Sequence, residues 1–339
     1  MHMTLLGLVA FLAATTGVQS SLGPSTAVEP MLYHAHIPKT GGRSFLTVIM
    51  RLGATPCLPG DKGAMEAGQY HQQLLRLIQT AEGAAVFIEG VDAAECNLVS
   101  LEQHVSLGRA FASGTAVRAV SMLREPIEHA LSMVEHDYNH GRNKGLEDRL
   151  TEAGELRAAA AGNYNLTSPQ VQYLGDGSYA KAVRAIHGEL GLADGAAGDL
   201  AFFGLTEYYH ESMCLYQWVF RGTRVVSGLA GTDMAAACDC AKSAGRRRLQ
   251  KRGGRGGGRG GRMRRPRPAG NGTAAVLDEH RGTSKVSQLP GMSTVAFKGL
   301  AGHVREDIAL YAKALELFVR RVRLMEKDVG YRVLCSLGE

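Results

Sequence analysis

Residues 31–52 read MLYHAHIPKTGGRSFLTVIMRL, and this stretch decides the fold. Residues 31–37 are mostly apolar, which is typical of a buried strand. A turn-rich PKTGGR follows at 38–43. Beyond the turn, apolar residues recur at the spacing of one helix face, at Phe45, Val48, Ile49 and Leu52. The stretch therefore predicts a strand, a glycine-rich loop and a helix.

The loop between this strand and this helix has the features of an anion-binding site. Backbone N–H groups at a helix start have no partner within the helix, so they can bind an oxyanion. Gly41 and Gly42 would let the backbone approach that anion closely, and Lys39 would place its ammonium on a phosphoanhydride oxygen. Thr40 and Ser44 would add hydroxyl donors. The alternative is a plain glycine turn, and the flanking Pro-Lys-Thr favours the anion site.

The order of residues in the loop argues against a nucleotide triphosphatase. In those enzymes the glycines precede the Lys-Ser/Thr pair. Here Lys39 and Thr40 precede the two glycines.

Further strands and helices alternate along the chain. Apolar runs at 84–88, 116–123 and 201–205 predict strands, and helices are expected from Pro126, near 207–220 and over 305–326. The apolar stripe of the last helix is predicted at Ile308, Tyr311, Leu315, Phe318, Val322 and Met325. This alternation predicts an α/β fold with a mostly parallel central sheet.

A second candidate site segment is LREPIEHALS at 123–132. Arg124 follows a predicted strand, Pro126 begins a helix, and Ser132 lies about two turns along it. Ligands bind at the carboxyl edge of open α/β sheets, where an arginine offers a two-pronged contact to phosphate. Taken alone, the segment would be better explained as a surface pair between arginine and a carboxylate.

Together the two segments resemble the sulfotransferases that use 3′-phosphoadenosine-5′-phosphosulfate, in particular the membrane-associated carbohydrate group that includes heparan sulfate 2-O- and 6-O-sulfotransferases. Two more stretches match in order, FFGLTE at 202–207 and the segment from Asp307 through Phe318. The resemblance spans about 31–325 without the basic stretch described below. It implies a nucleotide-kinase-like P-loop fold, with a parallel sheet flanked by helices, over a domain at 31–335.

The resemblance also implies a set of site residues. The Pro-Lys-Thr-Gly-Gly loop would bind the 5′-phosphosulfate, Arg124 and Ser132 would bind the 3′-phosphate, and no metal would be needed. The implied cofactor-binding residues are Pro38, Lys39, Thr40, Gly41, Gly42, Arg43, Ser44, Arg124 and Ser132. Lys39 would also be catalytic, because its charge would stabilise the leaving phosphate. Asn163, Tyr164 and Gln170 lie where the family contacts cofactor and acceptor, and no role is assigned to them.

The chain departs from the family pattern at several positions. Position 125 is Glu in place of Asp, 129 is His where Arg is common, and 43 is Arg where a small residue or Thr is common. Several members carry a catalytic histidine after the second strand, where residues 87–92 read FIEGVD.

The missing histidine leaves the catalytic base open. Glu89 is the first candidate, with a structural partnership to Lys39 or Arg124 as an equal alternative. His104 is the second candidate, with a solvated surface histidine as its alternative, and Asp92 and Glu95 also remain. A base must reach the hydroxyl that it deprotonates, so geometry has to decide between them.

The N-terminus predicts entry into the secretory pathway. Residues 5–14 read LLGLVAFLAA, too short to span a membrane and suited to a signal peptide. Residues 1–22 are therefore expected to be a signal peptide or a short membrane anchor, with a buried core helix as the alternative. Sequons at Asn165 and Asn271 fit passage through the lumen. The expected location is the Golgi lumen or membrane.

The positive charge of the chain comes from one segment. The net charge is +6, with 38 basic and 32 acidic residues. Residues 242–268 hold twelve Lys and Arg and no acidic residue, so the remainder carries a net charge of −6. The Arg/Gly-rich stretch 242–272 lacks the apolar residues that a core needs and is predicted to be a disordered insert within the domain. Nucleic-acid binding by the folded part is not expected.

Six cysteines, at 57, 96, 214, 238, 240 and 335, leave two interpretations open. In an oxidising compartment they allow up to three disulfides in fifteen pairings, and otherwise several are buried thiols. No metal set is visible, since Cys238 and Cys240 alone are a weak metal signature.

The sequence thus predicts a transferase that moves a sulfuryl group to a hydroxyl of a polysaccharide or glycoprotein acceptor. The identity of that acceptor is open. Two alternatives stay open. The chain could be an RNA-binding protein that uses the RGG-type repeats, or a nucleotide-binding protein of this fold without transfer activity.

Overall fold

Four parallel strands form the centre of the fold. The computed structural model describes residues 31–57, 96–102, 117–139, 167–191, 199–229, 234–241 and 294–335. Within these ranges the strands are β1 (Met31–Ala35), β2 (Leu98–Leu101), β3 (Val117–Leu123) and β4 (Leu200–Leu205). Every strand pair is parallel and helices flank the sheet, so the predicted α/β class with a parallel sheet is confirmed.

Several sequence predictions lie outside the described residues. They concern the segment 1–22, the strand at 84–88, the sequons at Asn165 and Asn271, and the insert 242–272. Elements on both sides of the insert contribute to one core, since Cys238 before it and Leu310 after it belong to the same buried cluster.

The order of the strands places a reversal of winding direction between β1 and β3. The order is β2-β1-β3-β4, so the chain runs from β1 outward to β2 and then returns past β1 to β3. At such a reversal, the connections that follow β1 and β3 leave the sheet in opposite directions. At this point a side-chain hydrogen bond links β3 to β1, since Ser121 Oγ donates to Ala35 O at 2.7 Å. Ligands of open α/β sheets bind in the crevice at such a reversal.

Eight helices are described around the sheet. They are α1 (Gly42–Leu52), α2 (Pro126–Asn139), α3 (Pro169–Gly175), α4 (Tyr179–Ile186), α5 (Tyr209–Val219), α6 (Met234–Cys238), α7 (Thr294–His303) and α8 (Arg305–Val329). The predicted helix start at Pro126 is confirmed. The helix expected near 207–220 begins as a 3-10 turn, Thr206–Tyr208, and continues as α5.

Strand β4 shows that helices cover both faces of the sheet. Successive side chains of a strand point to opposite faces. Phe202 stacks on Phe45 of α1, with 5.9 Å between ring centroids, and meets Tyr216 of α5 edge-on at 5.4 Å. Its neighbour Phe203 lies under the guanidinium of Arg321 of α8, 4.8 Å from the ring centroid. The sheet is therefore buried on both faces, as a parallel sheet requires.

Strand β2 was not predicted from the sequence. It has four residues, Leu98–Leu101, and its LVSL pattern is too short to stand out from a loop. Its position depends on contacts with a distant segment. Cys57 N donates to Leu98 O at 2.8 Å, and a disulfide joins Cys57 to Cys96. Tertiary contacts thus define an edge strand that local pattern does not.

The predicted apolar stripe of the last helix is correct except at its first residue, and Tyr311 and Leu315 pack partly buried against the core. Phe318, Val322 and Met325 are fully buried, whereas Ile308 is 39% exposed. Asp307 occupies the core-facing position next to Ile308, because its carboxylate accepts N–H groups of α3. A buried hydrogen-bonded acid therefore replaces an apolar residue at the start of the helix.

All six cysteines are paired. The disulfides are Cys57–Cys96, Cys214–Cys238 and Cys240–Cys335, and no cysteine is free. Of the two interpretations that the sequence left open, the structure supports the disulfide framework. Loss of one native disulfide typically costs about 2–5 kcal/mol of stability in a small secreted domain.

None of the helices within the described ranges combines the length and the apolar character that a membrane span needs.

The corrected orientation of α8 predicts different effects for two neighbouring substitutions. Leu310→Ala should lower the free energy of unfolding by about 2–5 kcal/mol, because it empties volume in the core. Ile308→Ala should change it by less than about 0.5 kcal/mol, since Ile308 is exposed. Urea unfolding of both variants measures the difference, and a larger loss for Ile308→Ala would contradict this orientation.

Candidate functional site

The candidate site lies at the carboxyl ends of β1 and β3, where the winding direction of the sheet reverses. After β1 the chain forms residues 36–41, here called the β1–α1 loop, and enters α1 at Gly42. After β3 it places Arg124 and then begins α2 at Pro126. The two segments that the sequence singled out are therefore brought together by the pairing of β1 with β3.

The β1–α1 loop has an unusual backbone conformation. Lys39 has φ 63° and Gly41 has φ 81°, both in the left-handed region. Glycine adopts this conformation readily, whereas a lysine does so at a cost that its surroundings must offset. Gly42 is needed for a different reason, because a Cβ atom there would lie 2.0 Å from Cδ2 of His36. One glycine thus permits the turn and the other permits close packing.

Side-chain donors hold the carbonyl groups of residues 37–40, an arrangement we call the carbonyl clamp. Two threonines hold the first and last of these groups. Thr40 Oγ1 donates to Ile37 O at 2.8 Å. Thr206, directly after β4, has its Oγ1 2.5 Å from Thr40 O and 2.9 Å from Leu123 O, so one hydroxyl proton serves both carbonyls. The end of β4 is thereby joined to the β1–α1 loop.

The two middle carbonyls of the clamp are held from the β3–α2 segment. His129 Nε2 lies 2.7 Å from Pro38 O. Arg124 Nη1 donates to Lys39 O at 3.0 Å. Both donors belong to the REPIEH stretch that follows β3, so that stretch fixes the orientation of two successive peptide groups in the loop.

The carbonyl clamp determines where the loop N–H groups point. No described peptide bond is cis, and in a trans peptide the C=O and the following N–H point to opposite sides. With the carbonyls of Pro38 and Thr40 turned into the protein, the N–H groups of Lys39 and Gly41 point the other way. The first bond of α1 runs from Phe45 N to Gly41 O, so the N–H groups of residues 42–44 have no acceptor within the helix. Such a concavity of N–H groups suits an anion.

Arg124 is committed in part to the protein itself. Besides its bond to the loop, its Nη2 lies 3.6 Å from Oε2 of Glu128, and its side chain is 13% exposed. A guanidinium has five N–H donors, so the contact to Lys39 O leaves further donors on the group. Arg124 therefore orients the loop and also contributes positive charge beside it.

His129 is buried and uncharged at neutral pH. Burial, together with the nearby charges of Arg124 and Lys39, lowers its pKa to about 4, and the hydrogen bond to Pro38 O opposes this shift. A neutral imidazole carries one proton, and the short contact to Pro38 O places that proton on Nε2.

A buried chain of hydrogen bonds from Asp307 through Gln170 holds the backbone of Arg124. The side chain of Gln170 forms two hydrogen bonds with the backbone of Arg124. Arg124 N donates to Gln170 Oε1 at 3.0 Å, and Gln170 Nε2 donates to Arg124 O at 2.8 Å. Asp307 of α8 in turn accepts the N–H groups of Gln170 and Val171 at 3.0 and 2.8 Å. Gln170 is 1% exposed, so its side chain positions the protein backbone.

Glu207 joins two further elements at the rim of the site. Its Oε1 accepts the N–H of Glu125 at 2.9 Å, and its Oε2 accepts the hydroxyl of Tyr311 at 2.7 Å. Glu125 caps α2, since its Oε2 accepts the N–H of Glu128 at 2.7 Å. Burial raises the pKa of the Glu125 carboxyl. Glu125 therefore has a structural role at the start of α2.

The predicted loop residues differ in what they offer a ligand. Lys39 is half-buried and Arg43 is exposed at the start of α1. Thr40 is fully buried and its hydroxyl already donates to Ile37 O, so the expected hydroxyl donor is turned inward. Ser44 remains partly exposed, and Ser132 is 5% exposed on α2.

Both candidates for the catalytic base, Glu89 and His104, lie outside the described residues. Asp92 and Glu95 do so as well.

Several residues of the site were not assigned a role from the sequence. They are His129, Gln170, Thr206, Glu207, Asp307 and Tyr311. Five of the six lie in the sequence stretches on which the resemblance rests, or were noted as departures from it. The sequence therefore pointed to these stretches without assigning the residues a role. The side chains of Thr206, Glu207 and His129 contact residues that lie 82 or more positions away in the chain.

Among the described residues, no group of three or more His, Cys, Asp or Glu side chains is placed to share a metal ion. Comparison of the chain with models of known protein families gave no match, and comparison with curated proteins gave none either.

The packing of Gly42 predicts opposite effects for two glycine substitutions. Gly42→Ala should lower the free energy of unfolding by about 1–3 kcal/mol, because the new methyl group overlaps the ring of His36. Gly302→Ala in α7 is the control, since its Cβ meets no heavy atom within 4 Å. It should raise stability by about 0.5–1 kcal/mol through the unfolded state. Urea unfolding compares the two, and equal effects would contradict the packing of Gly42.

The buried Asp307 predicts a pH dependence of stability. Burial raises the pKa of its carboxyl to about 7 and outweighs the hydrogen bonds from Gln170 and Val171. Between about pH 4 and 7 the folded protein therefore keeps a proton that the unfolded chain has lost, so this group's stabilisation fades as pH rises. Relative to Asp307→Asn, which cannot titrate, the wild-type protein should lose unfolding free energy over this range.

Urea unfolding at several pH values measures this difference. Asp328→Asn is the control, because Asp328 is exposed and its pKa is lowered by Trp218 and Arg221. A wild-type advantage over Asp307→Asn that does not change between pH 4 and 7 would show that the Asp307 pKa is not raised.

Proposed function

We propose that the chain is a sulfotransferase that binds 3′-phosphoadenosine-5′-phosphosulfate at the carboxyl ends of β1 and β3 and transfers the sulfuryl group to a hydroxyl acceptor. In this proposal the parallel sheet is of the nucleotide-kinase-like P-loop kind. The observation that carries it is the carbonyl clamp, which fixes the orientation of the peptide groups on both sides of Lys39. A simple glycine turn would not need four carbonyl groups held by side chains.

The residues present fit the cofactor. The N–H groups of Lys39 and Gly41 and the start of α1 offer donors for the 5′ group, and Lys39 adds a positive charge. The cofactor supplies an activated sulfuryl group when bound. Arg124 and Ser132, on the β3–α2 segment, are the proposed contacts of the 3′-phosphate. No metal is part of the proposal.

The task of this site is to position groups and to neutralise charge. Because the donors are fixed before a ligand arrives, little reorganisation is needed on binding, which is how preorganised sites lower a barrier. Lys39 would stabilise negative charge on the leaving phosphate. Glu89 remains the first proposed base for the acceptor hydroxyl, and His104 the second.

The proposed setting is the secretory pathway, with a Golgi location. Three disulfides are typical of proteins that fold in an oxidising compartment. This agrees with the predicted signal or anchor at 1–22 and with the two sequons. The proposed acceptor is a polysaccharide or glycoprotein.

The first test is calorimetric titration of the purified protein with 3′-phosphoadenosine 5′-phosphate. We expect micromolar or tighter binding that needs the 3′-phosphate, so ATP and 5′-AMP should bind far more weakly. Lys39→Ala should weaken binding by about 10- to 100-fold, the range for loss of a charged hydrogen bond. Lys313→Ala is the matched control, since Lys313 is exposed on α8, and it should leave affinity unchanged.

Absence of binding by folded protein would overturn the sulfotransferase proposal and favour RNA binding through the Arg/Gly stretch. Binding without any turnover on glycan acceptors would favour a nucleotide-binding protein that lacks transfer activity.

A further inference from the structure

His129 belongs to the carbonyl clamp and has no direct role in the proposed chemistry. It lies on α2 with its side chain fully buried, so it cannot touch an acceptor in solution. The one hydrogen bond of its side chain within the described residues is the 2.7 Å contact from Nε2 to Pro38 O. The other ring nitrogen, Nδ1, is buried without a partner among those residues. The imidazole is thus used entirely as a single donor to the loop.

The peptide that His129 holds is the one that enters the strained residue of the loop. Pro38 O and Lys39 N belong to the same planar peptide group, so fixing the carbonyl fixes the direction of the N–H. Lys39 itself has φ 63°, a conformation that a lysine keeps only when neighbours impose it. On its other side, Lys39 O is held by Arg124. His129 and Arg124 therefore hold Lys39 from both flanking peptides.

A neutral donor suits this position better than a charged one. Burial keeps the imidazole uncharged, with its proton on Nε2. A charged imidazole at position 129 would repel Lys39 and Arg124. An uncharged ring orients the loop and leaves the positive charge to those two residues.

We infer that His129 is a positioning residue of the proposed cofactor site, which holds the Pro38 carbonyl inward so that the Lys39 N–H and ammonium face the 5′ group of the nucleotide. This inference rests on the proposed function. It assigns to His129 a part in binding the 5′ group and none in binding the 3′-phosphate.

The test compares two variants of His129 with two nucleotides. His129→Leu fills the space without a donor, and His129→Gln keeps an amide N–H at about the reach of Nε2. The ligands are 3′-phosphoadenosine 5′-phosphate and 3′-AMP, which lacks the 5′ group. His129→Leu should bind the first ligand roughly 3- to 10-fold more weakly, the range for one hydrogen bond, and should bind 3′-AMP like wild type. His129→Gln should restore most of the loss.

Met133→Ala is the control for general destabilisation, because it removes buried volume from the same helix one turn further on. It should lower stability without changing either affinity. Urea unfolding checks each variant first, and if His129→Leu is unfolded, His129→Asn replaces it, since its amide is too short to reach Pro38 O.

Three results would overturn the inference. They are unchanged affinity of the donor-free variant for both ligands, an equal loss for both ligands, and no restoration by His129→Gln. Each of these requires that the wild-type protein binds 3′-phosphoadenosine 5′-phosphate, so the proposed function survives them. Failure of the wild-type protein to bind it overturns the proposed function and this inference together.

Discussion

The architecture of the site depends on the hydrogen bonds to the carbonyl groups of residues 37–40. Each such bond contributes only about 0.5–1.5 kcal/mol of net stability, yet together they hold a backbone that Lys39 would not adopt alone. The donors come from the loop itself, from the β3–α2 segment and from the residue after β4. Because β1, β3 and β4 are adjacent, the loop is fixed only when all three strands are paired.

The groups that support the loop are arranged to add little charge of their own. Burial raises the pKa of Asp307 and lowers that of His129, so in both cases the neutral form gains. Arg124 is steadied through its backbone by the uncharged amide of Gln170. Lys39 and Arg124 supply positive charge beside the loop, with the carboxylate of Glu128 3.6 Å from Arg124. Positive charge of this kind is what an anionic ligand needs.

Local pattern was sufficient for the elements that carry a strong periodic signal. The strand, loop and helix over 31–52, the start of α2 at Pro126 and the length of α8 follow from apolar spacing and from the preference of proline for a helix start. It was insufficient for β2, whose four residues are placed by Cys57 and Cys96. It also misplaced the core face at Ile308, because hydropathy assigns a buried acid such as Asp307 to the surface.

The sequence by itself determined the α/β class, the strand, loop and helix over 31–52 and the presence of Arg124 at a strand end, because each follows from residues close together in the chain. Only the tertiary structure decided how those residues are used. It paired the cysteines, turned the Thr40 hydroxyl inward and brought His129 and Thr206 to the loop carbonyls. These contacts join residues that are 91 and 166 positions apart, and no local spacing encodes such a distance. Strand pairing supplies that proximity, since it brings the carboxyl ends of separate strands to one edge.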